Sequence, residues 1–147
     1  MKNTTNIRIE NSTIETVVRL SNLIPEFNNP YPLSEYQKRL TGTPSCILVA
    51  YINHQPAGFK VGYEREGCFY SWMGGVLPIF RRMGVACKLA KEQEKWAKKM
   101  GYPHVTFKTR NKLKPMLVFA LNRGFNIIDL MSNPSIEEFR IVLRKNL

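Results

Sequence analysis

The stretch Val76-Leu77-Pro78-Ile79-Phe80-Arg81-Arg82-Met83-Gly84-Val85-Ala86 decides how this chain folds. It continues an apolar run, Cys68–Val76, that reads as a strand. Pro78 offers no amide hydrogen, so ladder pairing ends near it. Beyond it, Gly84–Met100 carries Ala86, Leu89, Ala90, Gln93, Trp96, Ala97 and Met100 at helical spacing. Lys88, Lys91, Lys95, Lys98 and Lys99 fall largely outside that stripe, and Glu94 and Lys98 are spaced for an i,i+4 ion pair. A strand therefore turns into a helix across two arginines and a glycine. The first turn of such a helix presents unpaired N–H groups and the positive end of its dipole. Gly84 admits close backbone approach, Ala86 is too small to obstruct it, and Arg81 and Arg82 add positive charge. The arrangement suits an oxyanion, most naturally phosphate or pyrophosphate. Neither G-x-x-x-x-G-K-[ST] nor G-x-G-x-x-G occurs there, and an ordinary strand-to-helix turn has the same spacing.

Outward from this segment the chain alternates strands and helices. Asn6–Glu10 reads as a short edge strand; Ser12 or Thr13 then caps a helix with Ile14, Val17, Val18 and Leu20 on one stripe. Pro25 closes that region, Asn28–Pro32 is a loop, and Ser34 caps a short helix through Leu40. Ser45–Asn53, Ala57–Tyr63 and Cys68–Val76 form an antiparallel meander joined by short turns. Gly101 and Pro103 stop the long helix. His104–Lys108 follows as a strand, parallel to its predecessor because a helix separates them. Leu113–Arg123 is a second helix on this side, with Pro115 early and Gly124 at its end, and Phe125–Met131 and Phe139–Arg144 are the last strands. The expected fold class is α/β: residues 1–147 as a single domain, one mixed β-sheet flanked by helices.

At 147 residues the chain fits one domain with a real core. No apolar run approaches a membrane span, and Met1–Ser12 lacks the apolar core of a signal peptide, so a cytoplasmic protein is expected, with no membrane partner. Cys46, Cys68 and Cys87 lie far apart with only two histidines in the chain, which argues against a disulfide framework and against a metal site. Twenty-two Lys and Arg against 11 Asp and Glu give a net charge of +11, which favours an anionic partner.

The quoted segment resembles the acetyl-coenzyme A pyrophosphate loop of the GNAT N-acetyltransferase superfamily, [RQ]-x-x-G-x-[GA] after V-x-P. Here it reads Arg81-x-x-Gly84-x-Ala86 after Val76-x-Pro78. A second match follows in Thr109-Arg110-Asn111, then a helix, then Arg123-Gly124-Phe125, and the order of elements is also the family's. The resemblance covers residues 45–130 well and residues 1–44 in outline. It implies the GNAT acyl-CoA N-acyltransferase fold, acetyl-CoA as co-substrate, and direct transfer to a primary amine of a small molecule or a protein, with a homodimer among the partners to expect. By the same resemblance, the backbone of Gly74, Gly75 and Val76 would hold the pantetheine arm. The amides of Arg81, Arg82, Met83, Gly84, Val85 and Ala86 would hold the pyrophosphate, and Lys88 and Arg82 its outer oxygens. Asn111 would support the pantetheine, and the helix bearing Phe119 would pack along it.

Acetyl transfer needs a base for the amine proton, a donor for the tetrahedral oxyanion and an acid for the leaving thiolate. In the family the backbone N–H near Val76 is placed for the oxyanion. Many relatives carry the acid as a tyrosine where this chain has Ala120. Cys68–Val76 bears no carboxylate, which leaves Glu64, with Glu66, as the acids nearest in sequence; Glu64 is the candidate base, with a water chain as the alternative. Tyr31, Tyr36 and Ser71 are candidates to line the acceptor pocket, although the tyrosines suit packing equally. The vacancy at Ala120 leaves a second reading, an acyl-CoA-binding sensor. A third is a nucleic-acid-binding module using Lys88, Lys91, Lys95, Lys98, Lys99, Lys108, Arg110, Lys112 and Lys114, which is ranked lower because no nucleic-acid motif accompanies them.

Overall fold

A computed structural model describes residues 6–147. Seven strands form one sheet: β1 (Ile7–Asn11), β2 (Ser45–Ile52), β3 (Gln55–Arg65), β4 (Cys68–Val76), β5 (His104–Arg110), β6 (Asn126–Met131) and β7 (Arg140–Asn146). Four α-helices flank it: α1 (Ile14–Ser21), α2 (Leu33–Leu40), α3 (Val85–Lys99) and α4 (Lys114–Asn122). The spatial order is β1-β2-β3-β4-β5-β7-β6, and every neighbouring pair is antiparallel except β4 with β5. The mixed sheet and the parallel neighbour read from the sequence are thus present.

The two-residue alternation of strands divides the core between the faces. Val49, Phe59, Val61 and Tyr63 face α1 and α2, where Val17, Leu20, Ile24, Tyr36 and Leu40 cover them. Cys46, Leu48, Ala57 and Phe69 face α3, which buries Val85, Leu89 and Ala97 against them. On that same side Ala120 of α4 meets Ile141 and Leu143 of β7. Local chemistry sets the boundaries. The Thr13 hydroxyl accepts the Thr16 amide at 3.2 Å to start α1, while Gly101 and Gly124 take positive φ after α3 and α4. Ser34, expected to cap α2, lies inside it; Pro32 stands at the cap and supplies no side-chain bond. Among the described residues no helix is long and apolar enough to cross a membrane.

Candidate active site

The sheet opens where β4 and β5 part. Their parallel ladder holds only at Phe69↔Val105 and Tyr70↔Thr106, because β5 pairs β7 along its whole length and follows it away. A bulge marks the divergence: Val61 opposes Met73 while Gly62 opposes Ser71, so Trp72 is the extra residue. Beyond it the Leu77 amide donates to the Ala57 carbonyl at 2.8 Å. That bond sets the phase of the ladder, in which Gly75 bonds to β3 while Gly74 and Val76 turn their N–H and C=O groups the other way. The open half of β4 therefore lines a slot with peptide groups.

The quoted segment closes one end of the slot. Pro78–Phe80 is a short 3-10 turn, Arg82 (φ 63°) and Gly84 (φ 88°) take left-handed backbone, and α3 begins at Val85. The amides of residues 82–87 meet no acceptor among the described residues, and the α3 dipole adds its positive end. A Cβ built on Gly84 would meet nothing within 4 Å, so φ, and not space, selects glycine there. Val85 is buried and anchors the turn, whereas Arg82, Met83, Ala86 and Lys88 are exposed around it.

Arg81 departs from its expected part. Its guanidinium donates twice to Glu26 at 2.7 Å and its Nε to the Val76 carbonyl at 3.1 Å. The side chain braces the turn against the segment after α1, and the Arg81 hydrogen bond holds the Glu26 carboxyl below its ordinary range. Only the Arg81 backbone remains for an anion, and its amide is engaged with the Pro78 carbonyl at 3.3 Å.

On the α1–α2 face the bulge carries an aromatic group. The Trp72 ring lies 4.7 Å from Tyr36, 5.2 Å from Tyr31 and 5.8 Å from Tyr63 between centroids, with the Arg39 guanidinium 4.3 Å over it. Arg39 also donates to Glu35 at 2.9 Å and to the Tyr63 hydroxyl at 3.1 Å. Tyr36 is fully buried, and burial pushes its phenol up to about 12, so it packs the pocket from behind. Tyr31 is exposed and reaches the opening. Ser71 is half-buried on the opposite, α3 face, since it pairs with Gly62.

The other expected residues are each held by local contacts. Glu64 accepts from the Tyr102 hydroxyl at 3.1 Å beside the β3–β4 hairpin. It pairs with Phe69, in the part of β4 still joined to β5 and three positions before the Trp72 bulge, roughly 10 Å along the strand. Asn111 donates to the Ile136 carbonyl at 3.1 Å and accepts from Lys114 at 2.9 Å, which fixes the β5–α4 corner. Phe119 is half-buried, with the Arg123 guanidinium 5.8 Å over its ring. Ala120 is buried. The basic set is partly neutralised: Arg110 and Lys112 both pair with Glu138, at 3.0 and 2.5 Å. Glu94 does not pair with Lys98; it turns inward to Arg123 at 2.7 Å and Lys145 at 2.6 Å. Helical spacing could not reveal that partner, because β7 and the end of α4 are distant in sequence. Lys60 and Arg39 also escaped the sequence reading. Only the bulge, which depends on the β3–β4 register, gives their positions meaning.

A separate depression of about 230 Å³, lined by Ile9, Asn11, Leu48, Glu92, Lys95, Trp96 and Lys99, shares no residue with the slot. Among the described residues no group of three His, Cys, Asp or Glu side chains could hold a metal.

Comparison with known proteins matches residues 15–125 to the model of the acetyltransferase (GNAT) family. A search of curated proteins finds no match. Among solved structures, the ribosomal-protein-S18-alanine N-acetyltransferase from Escherichia coli superposes with a TM-score of 0.81 at 14% identity, covering 96% of this chain and 94% of that one. Ard1 from Thermoplasma volcanium gives 0.79 at 18% identity, over 96% and 97% of the two chains. A GNAT family acetyltransferase from Elizabethkingia anophelis with acetyl-CoA bound gives 0.79 at 22%, over 99% and 100%. At these identities the likeness is one of fold.

Proposed function

The chain belongs to the acetyltransferase (GNAT) family, and from that premise we propose that it moves an acetyl group from acetyl-CoA directly to a primary amine in a ternary complex. The observation that carries this reading is the slot itself: a parallel ladder of two pairs that opens beside a turn of unengaged amides. The amides of residues 82–87 receive the pyrophosphate. The outward N–H groups of Gly74 and Val76 receive the pantetheine carbonyls, and one of them serves the oxyanion of the tetrahedral intermediate. The thioester then lies near the Trp72 bulge, and the acceptor amine enters from the aromatic α1–α2 face past Tyr31. Holding both reactants across the bulge supplies most of the acceleration by alignment. No carboxylate side chain stands on β4, so water in the slot takes the amine proton. The compartment proposed is the cytoplasm, and the acceptor is a small-molecule or protein amine.

The sensor reading draws on Ala120, which supplies no acid. The nucleic-acid reading is weakened by the pairing of Arg110 and Lys112 with Glu138. Thiol release from acetyl-CoA, followed with a panel of polyamines, free amino acids and peptides with free N-termini, separates enzyme from sensor. Turnover with any amine above the solvent rate supports transfer; tight acetyl-CoA binding without turnover across the panel supports a sensor.

A further inference from the structure

We propose that Lys60 is the proton donor to the sulfur that leaves the thioester: β3 sets its side chain beside Gly74, on the wall of the slot. The inference rests on the acetyl-transfer reading above. On the α3 face β3 presents Gly58, Lys60 and Gly62 in turn. A Cβ on Gly58 would lie 2.7 Å from the Gly75 carbonyl oxygen and 3.1 Å from Val85. One on Gly62 would lie 2.4 Å from the Phe69 ring and 2.9 Å from Gln93. The sheet is thus closed tightly above and below Lys60, which alone of the three has a side chain. Its stem leans along the sheet toward β4, since a Cβ on Gly74 would fall 3.5 Å from Lys60 Cγ. Gly74 is the residue whose own peptide groups face the slot, two positions from the bulge.

The lysine has no ion-pair or hydrogen-bond partner among the described residues. The charged and titratable groups around it are Glu94 of α3, Arg123 after α4 and Cys46 of β2. Glu94 is already held by Arg123 and Lys145, and burial pushes the Cys46 thiol up to about 12, so that it stays neutral. Burial lowers the Lys60 ammonium to about 8, close to the ~8.5 of an ordinary thiol, which matches donor to leaving group. In the step, the acceptor nitrogen forms the C–N bond and the C–S pair goes to sulfur. Lys60 Nζ gives that sulfur a proton and becomes neutral. The proton lost by the attacking nitrogen passes to solvent, from which Lys60 is recharged. No side-chain proton is available at Ala120 for this step.

Two measurements test the assignment. In the first, the whole protein is labelled with trace acetic anhydride at pH 7.5, with and without saturating coenzyme A, and each lysine is read by peptide mass spectrometry. Lys60 should label faster than the exposed Lys91 and Lys98, and coenzyme A should suppress its labelling about tenfold or more while leaving theirs unchanged. Lys60 labelling that bound coenzyme A does not alter overturns the proposal. In the second, Lys60→Met and Lys60→Arg are assayed with the fastest amine of the panel. Lys60→Met should keep acetyl-CoA affinity within about threefold and lose kcat by roughly 100-fold or more. Lys60→Arg should move the alkaline fall of kcat to higher pH. Lys60→Met with unchanged kcat overturns the proposal, whereas absent coenzyme binding by the wild type would defeat the acetyl-transfer reading itself.

Discussion

At the scale of single residues, Gly84 and Lys60 carry the sharpest expectations. Gly84 has open space around it but φ of 88°, so Gly84→Ala should cost only the left-handed penalty, about 1–2 kcal/mol in a denaturant melt. Gly84→Asp sets a carboxylate among the anion-seeking amides, so it should fold yet lose coenzyme binding. Lys60 makes a pH prediction. Its folded pKa is about 8 against 10.5 for a free lysine, so its burial destabilises the fold at full strength below pH 8. That penalty fades as pH rises from 8 to 10.5, where the unfolded chain holds the proton and the folded one does not. Lys60→Met should therefore raise Tm at pH 7 and give no advantage near pH 11; an equal gain at both would contradict the lowered pKa. The Gly84 turn was legible in the sequence because glycine spacing reports φ. Lys60 was not, since its meaning comes from Gly74 across the ladder.

Among the elements, α3 depends on what clamps its start and its middle. Its start is seated by Val85 against Gly58, where a methyl group would strike the Gly75 carbonyl at 2.7 Å. Backbone cannot swing aside as a side-chain tip can, so Gly58→Ala should cost about 1–3 kcal/mol and distort β4 where it lines the slot. Its middle is tied by Glu94 to Arg123 and Lys145, all at most one-quarter exposed in their side chains. Removing the shared carboxylate leaves two half-buried cations without it, and Glu94→Ala should cost about 1.5–3 kcal/mol by chemical denaturation. A loss below 1 kcal/mol would show that the triad is a surface ornament. Helix and strand positions were readable because each periodicity is local: α3 runs Val85–Lys99 where Gly84–Met100 was expected. The triad was unreadable because it joins three elements. The Ser34 cap failed for a local reason, since Pro32 already fixes the entry to α2.

For the molecule as a whole, the sheet ends in two edge strands, β1 and β6. All six residues of β6 are exposed, including Ile127, Ile128, Leu130 and Met131, and only Asp129 and a bulge at Ile128 interrupt the strand. Any contact between copies is expected at the exposed apolar side chains of this edge: Leu130→Lys should lower the average mass seen by sedimentation at high protein concentration, and an unchanged mass would place such a contact elsewhere. The fold class was legible from the sequence because the order of elements and the turn after Val76 constrain one another. The acceptor side was less so, since Trp72, Tyr31 and Arg39 meet only through the bulge. The gap between β4 and β5 is proposed to receive acetyl-CoA, and calorimetric titration of acetyl-CoA into the wild type and Gly84→Asp, with ATP as the polyanion control, tests this. Expected are saturable binding to the wild type, roughly 2.7 kcal/mol of added thermal stability at 100 times Kd, no binding to Gly84→Asp, and little with ATP. Equal binding to both proteins, or none to the wild type, would contradict it.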